Sequence, residues 1–169
     1  MPHIPFDQIP DSGRLWVFGV NRPLSEDEES TVLERVDAFL ATWAAHGTPL
    51  TVARDWRFGR FLHVALDEAS VPPSGCSIDA MVNTLKSLES DLGIVFVDNM
   101  PVWYRAEDGV VRATRAEFKA KAASGEVTSE TMVFDNTVTR VGQARDGEWE
   151  RPAAEGWHGR AFFKEGTAV

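Results

Sequence analysis

The single cysteine of this 169-residue chain sits in the stretch Ser74-Gly75-Cys76-Ser77-Ile78-Asp79. From Ile78 onward, Met81, Val82, Leu85, Leu88 and Leu92 recur at the spacing of one helical face, which predicts a helix over 76–92. Val71-Pro72-Pro73 cannot lead smoothly into that helix, because proline fixes its own φ and restricts the residue before it. Ser74, Ser77 and Asp79 then fall at cap and first-turn positions, where side-chain oxygens suit the positive end of the helix dipole. A thiol delivered there has its thiolate stabilised by free backbone N–H groups, one route to a reactive cysteine. The alternative is a small residue packed between loop and sheet, the commoner fate of an unpaired cysteine.

A nucleophilic reading takes Cys76 as nucleophile, His46 as base and Asp67 or Asp79 as the group that orients the base. All of them lie near the ends of predicted elements, where sites are commonly built. A binding reading takes Ser74, Gly75 and Ser77 as ligand contacts from the same loop, with Trp103 as an aromatic contact. His46 also has a structural reading, as a histidine bonding last-turn carbonyls at a helix C-terminus. A metal reading would gather His46, Asp67, Glu68 and Asp79, but no His-x-x-x-His or multi-aspartate spacing selects it, and no metal or cofactor is expected. His63 shares a strand face with Phe61 and Ala65 and reads as a packed core residue. Of the six tryptophans, Trp16 and Trp43 fall on apolar faces, while Trp103, Trp149 and Trp157 cluster in the last third. Exposure of any of those three would mark a binding surface.

The elements that must position these residues are written in the pattern. A short apolar run over 15–20 reads as a buried strand. Ser25 with Glu28 three residues later is a capping box. Behind it Val32, Leu33, Val36, Phe39, Leu40 and Trp43 form an apolar stripe, which Gly47 and Pro49 are expected to stop. Strands over 51–58 and 60–67 meet near Gly59, and Gly93 closes the helix of Cys76 before another strand over 94–97. That order, βαββαβ, is the ferredoxin-like split unit, so the fold class is α+β, with a core domain over 14–100. Asp108-Gly109 turns a hairpin, Thr114 caps a short helix ended by Gly125, and a strand follows over 131–134. These define a second, smaller domain over 101–160; about fifty residues make a marginal core, so docking on the first domain is expected.

Composition narrows the function classes. Hydrophobic residues at 43% and charged residues at 25% are ordinary globular values. A net charge of −9 opposes non-specific binding to nucleic acid or to an anionic membrane surface. One cysteine permits neither an internal disulfide nor a cysteine-rich zinc site. The N-terminal Met1-Pro2-His3-Ile4-Pro5 has neither a basic nor an apolar signal region, and no apolar run approaches the ~20 residues of a spanning helix, so a cytoplasmic location is expected.

Trp103-Tyr104, Gly109, Glu117-Phe118, Ser124-Gly125-Glu126-Val127, Thr131-Met132-Val133 and Trp149-Glu150-Arg151-Pro152-Ala153 together resemble GYF-like domains of the bacterial type. The aromatic residue that follows the glycine of that family's name is not evident here. The whole chain resembles a family of short bacterial proteins of uncharacterised function. That likeness rests on Trp-x-x-His-Gly (43–47), Ser-Gly-Cys-Ser-Ile-Asp (74–79) and Val-Phe-x-Asn (133–136). Members are sometimes labelled transporter ATPases, yet this chain has no Gly-x-x-x-x-Gly-Lys-Ser/Thr loop to cradle phosphates, so the resemblance implies no activity. The sequence favours a non-enzymatic module that binds a small ligand or a protein partner. The second reading is a cysteine-dependent enzyme.

Overall fold

The computed structural model describes residues 3–98 and 100–163. The fold is α+β, and the chain divides into two compact units, Met1–Asp98 with Thr139–Gly142, and Asn99–Val138 with Gln143–Val169.

The first unit holds β1 (Arg14–Gly19), α1 (Glu26–Thr42), a small ribbon of β2 (Ala44–Ala45) and β3 (Thr48–Pro49), β4 (Val52–Arg57), β5 (Phe61–Leu66) and α2 (Gly75–Leu92). The main sheet is antiparallel in the order β1-β5-β4. Strand alternation explains its two faces. Phe18, Leu62, Val64, Leu66 and Val52 join Val32, Val36 and Leu40 of α1 and Met81, Leu85 and Leu88 of α2 in one buried cluster. His63 faces the other way, fully buried, in an edge-on arrangement with the Phe6 ring, ring centres 6.2 Å apart. Phe6 belongs to the segment before β1, in which Ile4 donates to the Val52 carbonyl and a 3₁₀ turn spans Phe6–Gln8.

The capping box forms as its spacing predicts. Ser25 Oγ accepts from the Glu28 amide at 3.1 Å, and Glu28 accepts from the Ser25 amide at 3.0 Å. Glu28 also takes a bidentate grip from Arg22 at 2.7 and 3.0 Å, and these hydrogen bonds hold its carboxyl down to about 2. The same guanidinium donates to the Leu92 carbonyl at 2.9 Å, tying the start of α1 to the end of α2. Arg54 of β4 grips Asp37 of α1 at 2.7 and 2.8 Å.

Two expectations fail here for identifiable reasons. The helix of the Ser25 box ends at Thr42, not at Gly47, because residues 44–49 fold back as the β2–β3 ribbon. Its two-residue turn places His46 at φ 51° and Gly47 at φ 79°, the geometry that suits the twist of a tight hairpin. The strand over 94–97 does not form, so among the described residues this unit lacks the fourth strand of a ferredoxin-like sheet. The Ile94 amide returns to the Glu89 carbonyl, and the other three backbone donors go to side chains instead of a ladder. Glu89 accepts from the amides of Phe96 and Val97 at 2.6 and 2.9 Å, and Asn21 accepts from Val95 at 2.8 Å.

A short return of the chain completes the first unit, which the pattern over 14–100 does not foreshadow. Leu15 donates to the Thr139 carbonyl, Val141 to that of Gly13 and Gly142 to that of Asp11, each at 2.9 Å. A Cβ at residue 142 would stand 3.1 Å from the Asp11 carbonyl oxygen, so the close approach favours glycine.

The second unit is built on β6 (Val102–Ala106), β7 (Gly109–Ala113), β8 (Met132–Phe134) and β9 (Glu150–Pro152), antiparallel in the order β7-β6-β8-β9. Thr114 caps α3 (Arg115–Ser124) through a second capping box with Glu117. Phe118 of α3 is fully buried against Tyr104, ring centres 5.4 Å apart. A short α4 (Val141–Arg145), whose first two residues belong to the first unit's return segment, precedes β9, and α5 (Trp157–Phe162) follows it, with the ring centres of Phe162 and Phe118 4.9 Å apart. Among the described residues no helix is long and apolar enough to cross a membrane.

Candidate functional site

Ser74 is the N-cap of α2, and its cap is reciprocal. Ser74 Oγ accepts from the Ser77 amide at 3.1 Å, while Ser77 Oγ accepts from the Ser74 amide at 2.8 Å and donates to the Ser74 carbonyl at 2.7 Å. Both serines offered as ligand contacts are thus committed to the helix end, and Ser77 is buried. Gly75 faces open space where its Cβ would be. Cys76, the second residue of the helix, is exposed, which corrects the packed-cysteine reading. The reason is helical phase: Ser77, Met81, Leu85 and Leu88 form the buried stripe, and a residue one position before Ser77 is rotated about 100° away from it.

The partners proposed for the thiol are placed separately. His46 is exposed at the tip of the β2–β3 ribbon, not at a helix C-terminus. Asp67 closes the turn after β5, where its carboxylate accepts from Ser70 Oγ at 2.9 Å and its carbonyl accepts from the Ser70 amide. Glu68 is ion-paired with Arg140. Asp79 is exposed on α2. Neither the thiol nor the His46 imidazole has a hydrogen-bond or ion-pair partner among the described residues. Nor is any group of three or more His, Cys, Asp or Glu side chains among them placed to hold a metal ion, so His46, Asp67, Glu68 and Asp79 are not gathered. What does join the two motifs is Trp43. Its buried indole donates from Nε1 to the Ser77 carbonyl at 2.7 Å, fixing the start of the ribbon against the first turn of α2. Trp-x-x-His-Gly and Ser-Gly-Cys-Ser-Ile-Asp therefore meet through a structural hydrogen bond.

The tryptophan surface is also corrected. Trp103 and Trp149 are each 2% exposed, and Trp157 is half-buried, stacked on His158 with ring centres 3.9 Å apart. Trp103 is core, on a central strand of its sheet. Trp149 Nε1 donates to Asn136 Oδ1 at 2.9 Å, which accounts for the asparagine of Val-Phe-x-Asn.

The second unit instead presents a cleft of about 600 Å³ between the β6–β7 hairpin, the end of α3 and the loop before β8. Tyr104 stands in its lining with its ring almost wholly buried. Lys121 Nζ donates to the Tyr104 hydroxyl at 2.7 Å and lies 3.5 Å from Glu126. The hydrogen bond to Tyr104 is the main cause raising Lys121 above its ordinary value, so the ammonium persists. Arg105 is matched by Glu150 at 2.8 Å. Ala106, Val111 and Val127 supply apolar wall, and Glu107 and Asp108 stand exposed at the hairpin tip. No sequence motif announces this cleft, because Tyr104, Lys121 and Thr131 come from a strand, a helix and a loop. The usable signal was a tyrosine on a strand of otherwise apolar burial, since a buried phenol needs a polar neighbour.

Comparison with known proteins gives no match: no family model fits the chain, and no curated protein or solved structure is significantly similar to it.

Proposed function

We propose that this chain is a non-enzymatic, partner-binding protein, and that its contact surface is the cleft of the second unit. The observation that carries the reading is the cleft itself: a concavity of about 600 Å³ in which polar and charged side chains (Tyr104, Lys121, Glu107 and Asp108 among them) converge around the apolar Ala106, Val111 and Val127. Cys76 lacks the neighbours that nucleophilic catalysis needs, since a thiol is activated by a base and the base by an orienting group. Its exposure in the first turn of an eighteen-residue helix is the one observation favouring the cysteine-dependent alternative.

Selection of a random peptide display library on the full chain tests the proposal, with Ala106→Trp as the counter-target. Ala106 lines the cleft, and an indole there would fill it. Peptides that enrich on the wild type and fail on the variant support the reading. Enrichment that is equal on both would place binding elsewhere.

A further inference from the structure

The cleft's charges and hydrogen-bonding capacity define a narrower occupant, on the premise that the cleft is the binding surface. Its lining holds two cations, and both are already matched, Arg105 by Glu150 and Lys121 by Tyr104 and Glu126. Its carboxylates are not all used in this way. Glu107 and Asp108 have no hydrogen-bond or ion-pair partner among the described residues, so the mouth carries uncompensated negative charge. A second, independent feature is the Tyr104 phenol. An ammonium can only donate, so the Tyr104 oxygen must accept from Lys121, and the phenol's own proton remains to be given. Among the described residues no acceptor takes it, although the side chain is 4% exposed. Because Tyr104 lines the cleft, that proton is available to an acceptor on a ligand.

We propose that the cleft binds an extended peptide segment bearing an arginine or lysine side chain. The Tyr104 hydroxyl donates to a backbone carbonyl of the peptide, and Glu107 and Asp108 receive the cation at the mouth. Ala106, Val111 and Val127 cover the intervening aliphatic stem, as long basic side chains allow. The net charge of −9 on the chain favours approach of such a partner at low salt.

The test is a titration of the isotopically labelled full chain, followed by amide chemical shifts. The probes are N-acetyl-arginine methylamide, its glutamate and alanine counterparts, and agmatine, which has the guanidinium without a peptide carbonyl. The arginine probe should shift the amides of Tyr104, Asp108, Lys121 and Thr131 saturably, and the glutamate probe should not. Agmatine should bind at least fivefold more weakly than the arginine probe, as should the arginine probe to Glu107→Gln/Asp108→Asn, whose sites are exposed and leave the fold intact. Tyr104→Phe should equalise the arginine probe and agmatine. Equal midpoints for the arginine, alanine and glutamate probes at these amides would overturn the basic-peptide assignment while leaving the cleft as a binding surface. Shifts confined to residues outside the cleft would overturn both.

Discussion

Each unit buries a histidine that acid must charge. His63 sits at the centre of β5, opposite Val17 on one side and Asp55 on the other, with no exposed surface. Burial is the main cause that lowers it to about 3; the Arg57 cation adds to this and Asp55 opposes it. His158 of α5 is 1% exposed, and burial lowers it to about 4, with Asp135 opposing and Arg151 and Arg115 adding. An unfolded histidine titrates near 6.5, so between that value and the folded one the unfolded chain binds more protons. Stability is therefore greatest above pH 6.5 and falls as pH drops through it, until the folded values are reached. At pH 5 the linkage relation gives a loss of about 2 kcal/mol from each histidine relative to pH 8. Carboxylates whose folded values are lowered, such as Glu28, Asp37 and Glu117, lose their contribution only below about pH 5, so the window belongs to the histidines. Urea melts followed by tryptophan fluorescence at pH 8 and pH 5 measure the loss in the wild type, in His63→Leu and in His158→Leu. Each variant should lose about 2 kcal/mol less than the wild type over that interval. A wild type equally stable at both pH values, or variants with undiminished pH dependence, would refute the argument.

Other consequences are local. Ser25→Ala should cost about 1 kcal/mol in a denaturant melt, the usual value of an N-cap, and leave peptide binding unchanged. Trp43→Phe removes the indole donor to Ser77 and should cost about 2 kcal/mol, the lost hydrogen bond plus an unfilled volume; an unchanged melt would show that this bond does not secure the first turn of α2. Cys76 should react with a chromogenic disulfide reagent to one equivalent per chain without denaturant; labelling only on unfolding would contradict its exposure.

Where local chemistry decided the structure, the sequence could be read directly. Ser25 with Glu28, Thr114 with Glu117, the stripes of α1 and α2 and the hairpins at Gly59 and Asp108-Gly109 all rest on contacts within a few residues. The failures share a different origin, partners distant in sequence. The residues over 94–97 are β-favouring, but their amides answer to Glu89 and Asn21. Trp43 continues the apolar stripe of α1 although it has left the helix, because its burial serves Ser77 instead. Residues 139–142 complete a unit that begins more than a hundred residues earlier, which no periodicity encodes. At the candidate site, the place of Cys76 in a first turn was legible; its exposure was not, because it follows from Ser77 joining the buried stripe of α2, which a polar side chain does not announce. That His46 lies on a ribbon tip, and that Tyr104 meets Lys121, depends on tertiary structure.

The proposed binding surface is the cleft and not the thiol, and one comparison of affinities separates them. Fluorescence polarisation of the best library peptide should give the same Kd for wild type and Cys76→Ala, and at least a tenfold weaker one for Ala106→Trp. Loss of binding in Cys76→Ala, with Ala106→Trp unaffected, would contradict the account and return the function to the first turn of α2.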